Sequence, residues 1–331
     1  MENLFHPVKI GNVQLNGNLF LAPVAGYSDV AFRSVCIENG AAFTYTEMVS
    51  AEALVRNNLK TETLMKRANN EKSYAVQIFG GEPEIMANAA KIVIEKTHCE
   101  VIDINCGCPV PKIVKSGAGS VLTREPEKLF KIVKAVVDVC GTIPVTVKIR
   151  SGWEQKLITW KDASQAAMDA GVSAITIHPR TRAQGYEGFS DWKIIQQLVE
   201  FVDKKIPIFG SGDLFKPEDA KRMLEETGVD GIMFARGAMG NPFIFRDTIS
   251  LLKNGFYEPV PIKERIKTGF SELEQLVSET SEQHACLEMR KRFHAYSKGI
   301  QNGGELRKKI VHASSVQDYH NIFDDFLNGN I

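Results

Sequence analysis

The chain has 331 residues, 24% of them charged and 44% hydrophobic, with 40 Lys+Arg balancing 40 Asp+Glu. At about 150 residues per domain this predicts two domains, or one large barrel with an appendage, and the composition excludes a disordered or collagen-like protein. Net neutrality leaves no global field to draw the chain to nucleic acid or membrane, so any polyanion partner must be held by a local patch.

Met1–Ile10 lacks the basic start and long apolar stretch of a signal peptide. No apolar run reaches the ~18–20 residues that span a bilayer. Six cysteines are too sparse for a disulfide scaffold. A cytoplasmic protein with reduced thiols and no membrane attachment is expected.

Short β-rich apolar runs follow one another along the chain: Leu19–Val24, Ala42–Met48, Tyr74–Phe79, Val101–Cys106, Val145–Arg150, Ala174–His178, Ile206–Phe209 and Gly231–Ala235. They recur roughly every 30 residues, the size of one strand–helix unit in a parallel sheet. Between them lie helical patterns. Glu125–Cys140 sets Leu129, Ile132, Val133, Val136, Val137 and Cys140 on one face, and Trp160–Ala170 and Pro217–Leu224 behave alike. Eight such units predict a (β/α)8 TIM barrel over residues 1–250, with an open doubly wound sheet as the alternative. After Leu251 the strand runs stop, and Asn254–Pro261, with Gly255, Pro259 and Pro261, reads as a linker. Ile262–Glu282, His284–Lys298 and Gly304–Val316 then predict a small C-terminal all-helical domain over residues 251–331.

In a barrel of this kind the active site lies at the C-terminal ends of the strands. Strand one is followed by Pro23, Val24 and Ala25, small enough for a flat ring to lie against the backbone. The next ends present Gln77, Asn105 with Cys106-Gly107-Cys108-Pro109, Lys148 with Arg150, and His178-Pro179-Arg180. Strands seven and eight lead to Gly210-Ser211-Gly212-Asp213 and Ala235-Arg236-Gly237. Glycine-rich loops at those two positions let backbone N–H groups approach a phosphate, and Arg236 adds a bidentate charge. Gln77 offers a donor and an acceptor to a pyrimidine-like ring edge. Lys148 is either a rim charge or a cation beside a ring that becomes anionic on reduction, as a flavin does. His178 is a core histidine or a cofactor contact. Cys106 and Cys108 lack the second Cys/His pair that a metal site needs, so no metal is expected. A loop thiol is mostly protonated at neutral pH, so Cys108 can act as a general acid, whereas Cys106 belongs to the wall.

Seven ordered segments carry a family resemblance: Leu21-Ala-Pro-Val-Ala-Gly-Tyr-Ser-Asp-Val-Ala-Phe-Arg33, Gln77-Ile-Phe-Gly80, Asp103-Ile-Asn-Cys-Gly-Cys-Pro109, Val147-Lys148, His178-Pro-Arg-Thr-Arg182, Gly210-Ser-Gly-Asp213 and Ala235-Arg-Gly-Ala238. They resemble the tRNA-dihydrouridine synthases, and in particular the bacterial branch called synthase B. The resemblance continues through Met289–Gly299 and Leu306-Arg307, which are similar to the family's helical tRNA-binding region. It implies an FMN enzyme, reduced by NADPH, that converts selected uridines in tRNA to 5,6-dihydrouridine. It assigns Pro23, Val24, Ala25, Gln77, Asn105, Lys148, His178, Ser211, Gly212, Asp213, Ala235 and Arg236 to the FMN site, Cys108 to proton donation at C5, and Asn105 also to the target base. The sequence departs from the family pattern at Val24, Ser211, Ala235 and Phe243, and Ser211 shortens a polar reach near the cofactor.

A uridine packed in folded tRNA must be extruded to reach a barrel mouth, so the protein must grip the RNA elsewhere. Between Cys286 and Ile310 seven Lys/Arg stand against Glu288 and Glu305. Arg290, Lys291, Lys298 and Arg307 there, with Arg180 and Arg182 after strand six, are the expected tRNA contacts. Two other readings fit parts of the pattern: a dihydroorotate dehydrogenase-like flavin barrel acting on a small pyrimidine, and a tRNA-binding protein with vestigial flavin chemistry. Protein partners are not indicated.

Overall fold

The computed structural model describes residues 4–301 and 303–329. Eight parallel strands are followed in turn by helices: Leu19–Leu21, Phe43–Thr44, Ala75–Phe79, Val101–Cys106, Val145–Glu154, Ala174–Thr181, Ile208–Ser211 and Gly231–Phe234. Strand one pairs with strands two and eight, and pairing continues through seven, six, five, four and three. A parallel bridge from Tyr45 to Ala75 joins strand two to strand three and closes the barrel.

The closed barrel has two kinds of core. Val76, Ile78, Ile102, Ile104, Val147, Ile149, Ile175 and Ile177 point outward and pack under the helices. Inside, Phe20, Phe43, Tyr45, Phe209 and Met233 fill the N-terminal end, and an antiparallel hairpin, Val8–Ile10 with Val13–Leu15, plugs it. That end is sealed by edge-on aromatic contacts, such as Phe20 on Phe209 with ring centres 4.9 Å apart. The open end is left for chemistry.

Several boundaries differ from those expected. The run Ala42–Met48 is a strand only over Phe43–Thr44, because Thr46 Oγ1 takes the Gln77 N–H in place of a ladder carbonyl. Strands five and six continue past Arg150 and His178 to Glu154 and Thr181. Strand seven is shifted to Ile208–Ser211, and strand eight ends at Phe234. The eighth barrel helix runs Ile244–Asn254 and stops at Gly255 with φ +84°, so the division expected after residue 250 falls inside a helix.

Beyond the linker the described residues form four helices where three were expected: Ile262–Glu279, Glu282–Tyr296, Gly303–Ile310 and Val316–Leu327. The fourth starts from a capping box in which Ser315 and Asp318 satisfy each other's backbone N–H groups. The helical unit is fastened to the barrel by Arg292, whose side chain is 1% exposed. It pairs with Asp29 in the loop after strand one and with the fully buried Glu272 of the preceding helix, and it lies 4.9 Å from the Tyr27 ring centre. Tyr296 donates to the other oxygen of Glu272 at 2.8 Å.

Removing one partner of such a cluster strands the other in the core. Arg292→Met is expected to lower stability by about 3–5 kcal/mol, and adding Glu272→Leu to recover most of that loss, both read by denaturant unfolding.

Candidate active site

Side chains along a strand alternate between the two faces. In strands four, five and six one face carries Asp103 and Asn105, then Thr146, Lys148 and Arg150, then Thr176 and His178, while the intervening Ile and Val face the helices. Register brings them level: Gln77 with Asp103, Asp103 with Thr146, Asn105 with Lys148, and Arg150 with His178. The upper interior of the barrel is therefore polar, and its groups bond to one another.

The bonds form a directed chain. Asp103 is fully buried; one carboxylate oxygen accepts from Thr146 Oγ1 and the other from Gln77 Nε2, both at 2.6 Å. Gln77 Oε1 accepts from Asn105 Nδ2 at 2.9 Å. Asn105 Oδ1 in turn accepts the N–H groups of Gly107 at 3.2 Å and Cys108 at 2.9 Å. The second Asn105 N–H meets only Met48 Sδ at 3.8 Å, the one weak contact it can exchange for a ligand. Cys108 is held from its other side by Ser120 N–H on its carbonyl at 3.1 Å. The adjoining Gly119, at φ +62°, leaves no room there for a Cβ.

Burial raises the Cys108 thiol above its ordinary range, against smaller lowering by the Val110 N–H and Arg150, so it is a protonated donor at neutral pH. Lys148 is pushed down to about 8, by burial and then by Arg150, with Asp103 opposing. Asp103 is raised to about 6 by burial, partly offset by its Thr146 and Gln77 bonds. His178 falls well below its usual value through burial and the cations Lys148, Arg150, Arg180 and Arg236, so it is a neutral imidazole. Its Nε2 lies 3.2 Å from Arg180 Nη1, an obligate donor, which assigns the ring proton to Nδ1.

One cleft at the C-terminal end is lined by Pro23, Val24, Ala25, Gln77, Asn105, Cys108, Lys148, His178, Ser211, Gly212, Asp213, Ala235 and Arg236, so every residue expected to hold the cofactor or donate a proton faces the same space. Arg150, expected beside Lys148 at the end of strand five, also lines it, as do Met48, Tyr186, Leu214, Phe215 and Met233, to which sequence reasoning gave no role. Tyr186 and Phe215 flank Arg236 at 5.0 and 5.2 Å from their ring centres. Ser211 Oγ donates to the Met233 carbonyl at 3.0 Å, so its hydroxyl is committed to the next strand. The Asp213 N–H finds no partner among the described residues, while the Gly212 N–H faces the Met233 carbonyl and Trp192 Nε1 holds the Gly212 carbonyl at 3.1 Å. Asp213 sits at φ +57°, a strained conformation for a residue other than glycine.

Arg180 does not serve the role expected of it. It is 2% exposed and faces inward, spending its donors on both Asp213 oxygens at 2.8 and 2.9 Å, on Ser190 Oγ, and on the carbonyls of Glu187 and Gly188. It braces the loop after strand six instead of meeting RNA at the mouth. Arg182 is half-buried, 4.6 Å from the Trp153 ring centre, with Arg124 also over that ring at 4.2 Å. Arg290, Lys291, Lys298 and Arg307 are on the helical unit, away from the cleft lining. Lys291 Nζ donates to the Gly26 carbonyl at 2.9 Å and pairs with Glu288, and Arg290 Nε donates to the Ala313 carbonyl. Arg292, counted in the basic run, is internal.

Among the described residues no three His, Cys, Asp or Glu side chains converge as metal ligands, and no helix is long and apolar enough to cross a membrane.

The family model described as dihydrouridine synthase (Dus) matches residues 20–329. A "Probable tRNA-dihydrouridine synthase" of Treponema pallidum (strain Nichols) is 52% identical over 328 residues, covering 97% of this chain and 96% of that protein. A "tRNA-dihydrouridine synthase B" of Pseudomonas putida is 38% identical over 260 residues, covering 78% and 76%. Among solved structures, morphinone reductase in complex with tetrahydroNAD superimposes with a TM-score of 0.52 at 12% identity over 79% of this chain and 93% of its own. A 2-naphthoyl-CoA reductase gives 0.60 at 12% identity, over 75% and 52%. These two likenesses concern the fold.

A lysine whose folded value is depressed binds its proton less readily than in the unfolded chain, so its contribution to stability rises as pH climbs from about 8 towards the ordinary lysine range. At pH 7 the buried charge is a cost. Lys148→Met is therefore expected to raise the stability of the ligand-free protein at pH 7 by on the order of 1 kcal/mol, a gain that shrinks above pH 8, as thermal melts across that range would show.

Proposed function

The chain belongs to the dihydrouridine synthase family, and on that premise we propose that it reduces the C5=C6 bond of selected uridines in tRNA to 5,6-dihydrouridine, with FMN as its cofactor and NADPH as the reductant. The observation that carries this reading is the convergence of Gln77, Asn105, Cys108 and Lys148 beside the two strand-end loops of Gly212 and Arg236 in a single cleft.

The residues present fit a flavin mononucleotide. Lys148, Arg150 and Arg236 line the cleft, whereas its lining carboxylate, Asp213, is already shared by Arg180 and Arg236. The surplus is positive and suits a phosphate together with a ring that gains negative charge. Asp213 offers a free N–H to the phosphate, Gln77 a donor and an acceptor to the ring edge, and Pro23–Ala25 a flat wall. When bound, reduced FMN supplies hydride to C6 of the uracil.

Cys108 completes the reduction. Its S–H bond breaks as a C–H bond forms at C5, and solvent then reprotonates the thiolate. The raised thiol value keeps the donor loaded until the negative charge at C5 develops. Lys148 holds positive charge beside the cofactor ring, and Arg150, which donates to the Gly107, Thr181 and Gly185 carbonyls, ties the Cys108 loop to the loop after strand six.

The grip on tRNA falls to surface cations: Arg182 on the Trp153 platform, and Arg290, Lys291, Lys298 and Arg307 on the helical unit. Arg290, Lys298 and Arg307 form no salt bridge among the described residues, so they have charge to give to phosphates. Counterion release makes such binding salt-sensitive.

Nucleoside mass spectrometry on unmodified tRNA incubated with protein, FMN and NADPH is expected to find dihydrouridine with the wild type and almost none with Cys108→Ala, which retains flavin. Dihydrouridine at wild-type levels from that variant would remove Cys108 from the acid role. No dihydrouridine from the wild type, with a small pyrimidine reduced instead, would turn the reading to a small-substrate dehydrogenase. Lys298→Glu is expected to weaken tRNA binding and to lower the slope of log affinity against log salt by about 1, measured by filter binding.

A further inference from the structure

We propose that Asp103 is a positioning residue for this reaction: its carboxylate sets the sense of the Gln77 and Asn105 amides and thereby fixes the backbone of Cys108. The inference rests on the reading of Cys108 as the proton donor and adds to it a residue that touches neither substrate nor cofactor. Asp103 is fully buried and is not part of the cleft lining.

An ionised carboxylate only accepts, so the group facing it from Gln77 must be the NH2, and the Gln77 oxygen is turned towards Asn105. That oxygen selects the NH2 of Asn105, which leaves the Asn105 oxygen for the loop, where two N–H groups, of Gly107 and Cys108, converge on it. Reversing either amide would set acceptor against acceptor at one of its ends and donor against donor at the other. The chain is thus pinned by an acceptor-only group at one end and two backbone donors at the other. Thr146 occupies the remaining Asp103 oxygen and keeps the carboxylate from rotating away. Asn105 is left nearly saturated, and Gln77 retains for a ring ligand one N–H and one lone pair.

An asparagine at 103 can preserve the sense of the chain. Its oxygen accepts from Gln77 while its NH2 donates to Thr146 Oγ1, whose hydroxyl turns to suit, and the two backbone donors still demand the Asn105 oxygen. Leucine or alanine at 103 cannot. Asp103→Asn is thus the conservative rescue, and Asp103→Leu breaks the chain, with Asp103→Ala used in its place where the leucine variant does not fold.

Cys108 reports directly on the loop, because the other five cysteines are buried. Its alkylation by iodoacetamide in the native protein, followed by peptide mass mapping, needs no flavin and no turnover, so it remains informative even where the dihydrouridine assay fails. The expected result is several-fold faster alkylation in Asp103→Leu or Asp103→Ala, with kcat on tRNA lower by on the order of 100-fold, KM for tRNA unmoved, and Asp103→Asn close to wild type in both readouts. Folded Leu or Ala variants with wild-type alkylation and kcat would overturn the proposal. So would an Asp103→Asn variant as impaired as the leucine one, since the negative charge, and not the sense of the hydrogen bonds, would then be what matters.

Discussion

Polar side chains that point into the upper half of a closed parallel barrel are cut off from water below and on all sides, so they must satisfy one another or a ligand. That constraint organises this protein. The lower interior is mostly apolar, packed with Phe20, Phe43 and Phe209, and the Tyr45 hydroxyl is buried there without a partner among the described residues. The upper interior meets the constraint with acceptor-to-donor bonding from Asp103 to Cys108. Within the cleft, what this network leaves free is the second N–H of Gln77, the ammonium of Lys148 and the N–H of Asp213. The bonded interior thus leaves a small, directed set of groups for binding.

Charge follows the same economy. Four cations lie in or behind the cleft, Lys148, Arg150, Arg180 and Arg236, and His178 stays neutral among them. Two are spent on structure. Arg180 locks Asp213 to the loop after strand six, and Arg150 spans three backbone carbonyls without a carboxylate partner. Lys148 and Arg236 keep charge to offer, and the depressed lysine shows what holding it there costs before an anion arrives. The site is destabilised in the direction of its ligand.

Much of this was legible in the sequence because strand periodicity and strand-end position are local properties. Gln77, Asn105, Lys148 and His178 sit on barrel strands and Cys108 just beyond one, and they do line one cleft. Asp103 belonged to the same pattern, two residues before Asn105, yet it read as part of a motif because burial hid its work. Arg180 was misplaced for a different reason. Strand six runs on to Thr181, so Arg180 is not on the open loop that a stop at His178 implied. Arg292 shows the limit of counting charge along a helix. It stands with Met289, Phe293 and Tyr296 on the buried stripe at i, i+3, i+4 and i+7 spacing, and position on that stripe, not formal charge, decided its fate.

The loop after strand one joins these two halves of the molecule. Pro23, Val24 and Ala25 form a wall of the cleft, and within the next four residues the Gly26 carbonyl accepts Lys291, Tyr27 lies beneath Arg292, and Asp29 pairs with Arg292 while capping the helix Val30–Glu38. Ala31 and Phe243 of the barrel contribute to the core of the helical unit. On the function proposed above, an RNA-gripping surface serves a barrel-mouth reaction only if its distance and orientation to Cys108 are fixed. Hydrophobic contact alone tolerates sliding, whereas a buried guanidinium shared by two carboxylates from different units does not, because any displacement leaves a charge unpaired. The same few residues that shape the cleft wall therefore set the register between the helical unit and Cys108.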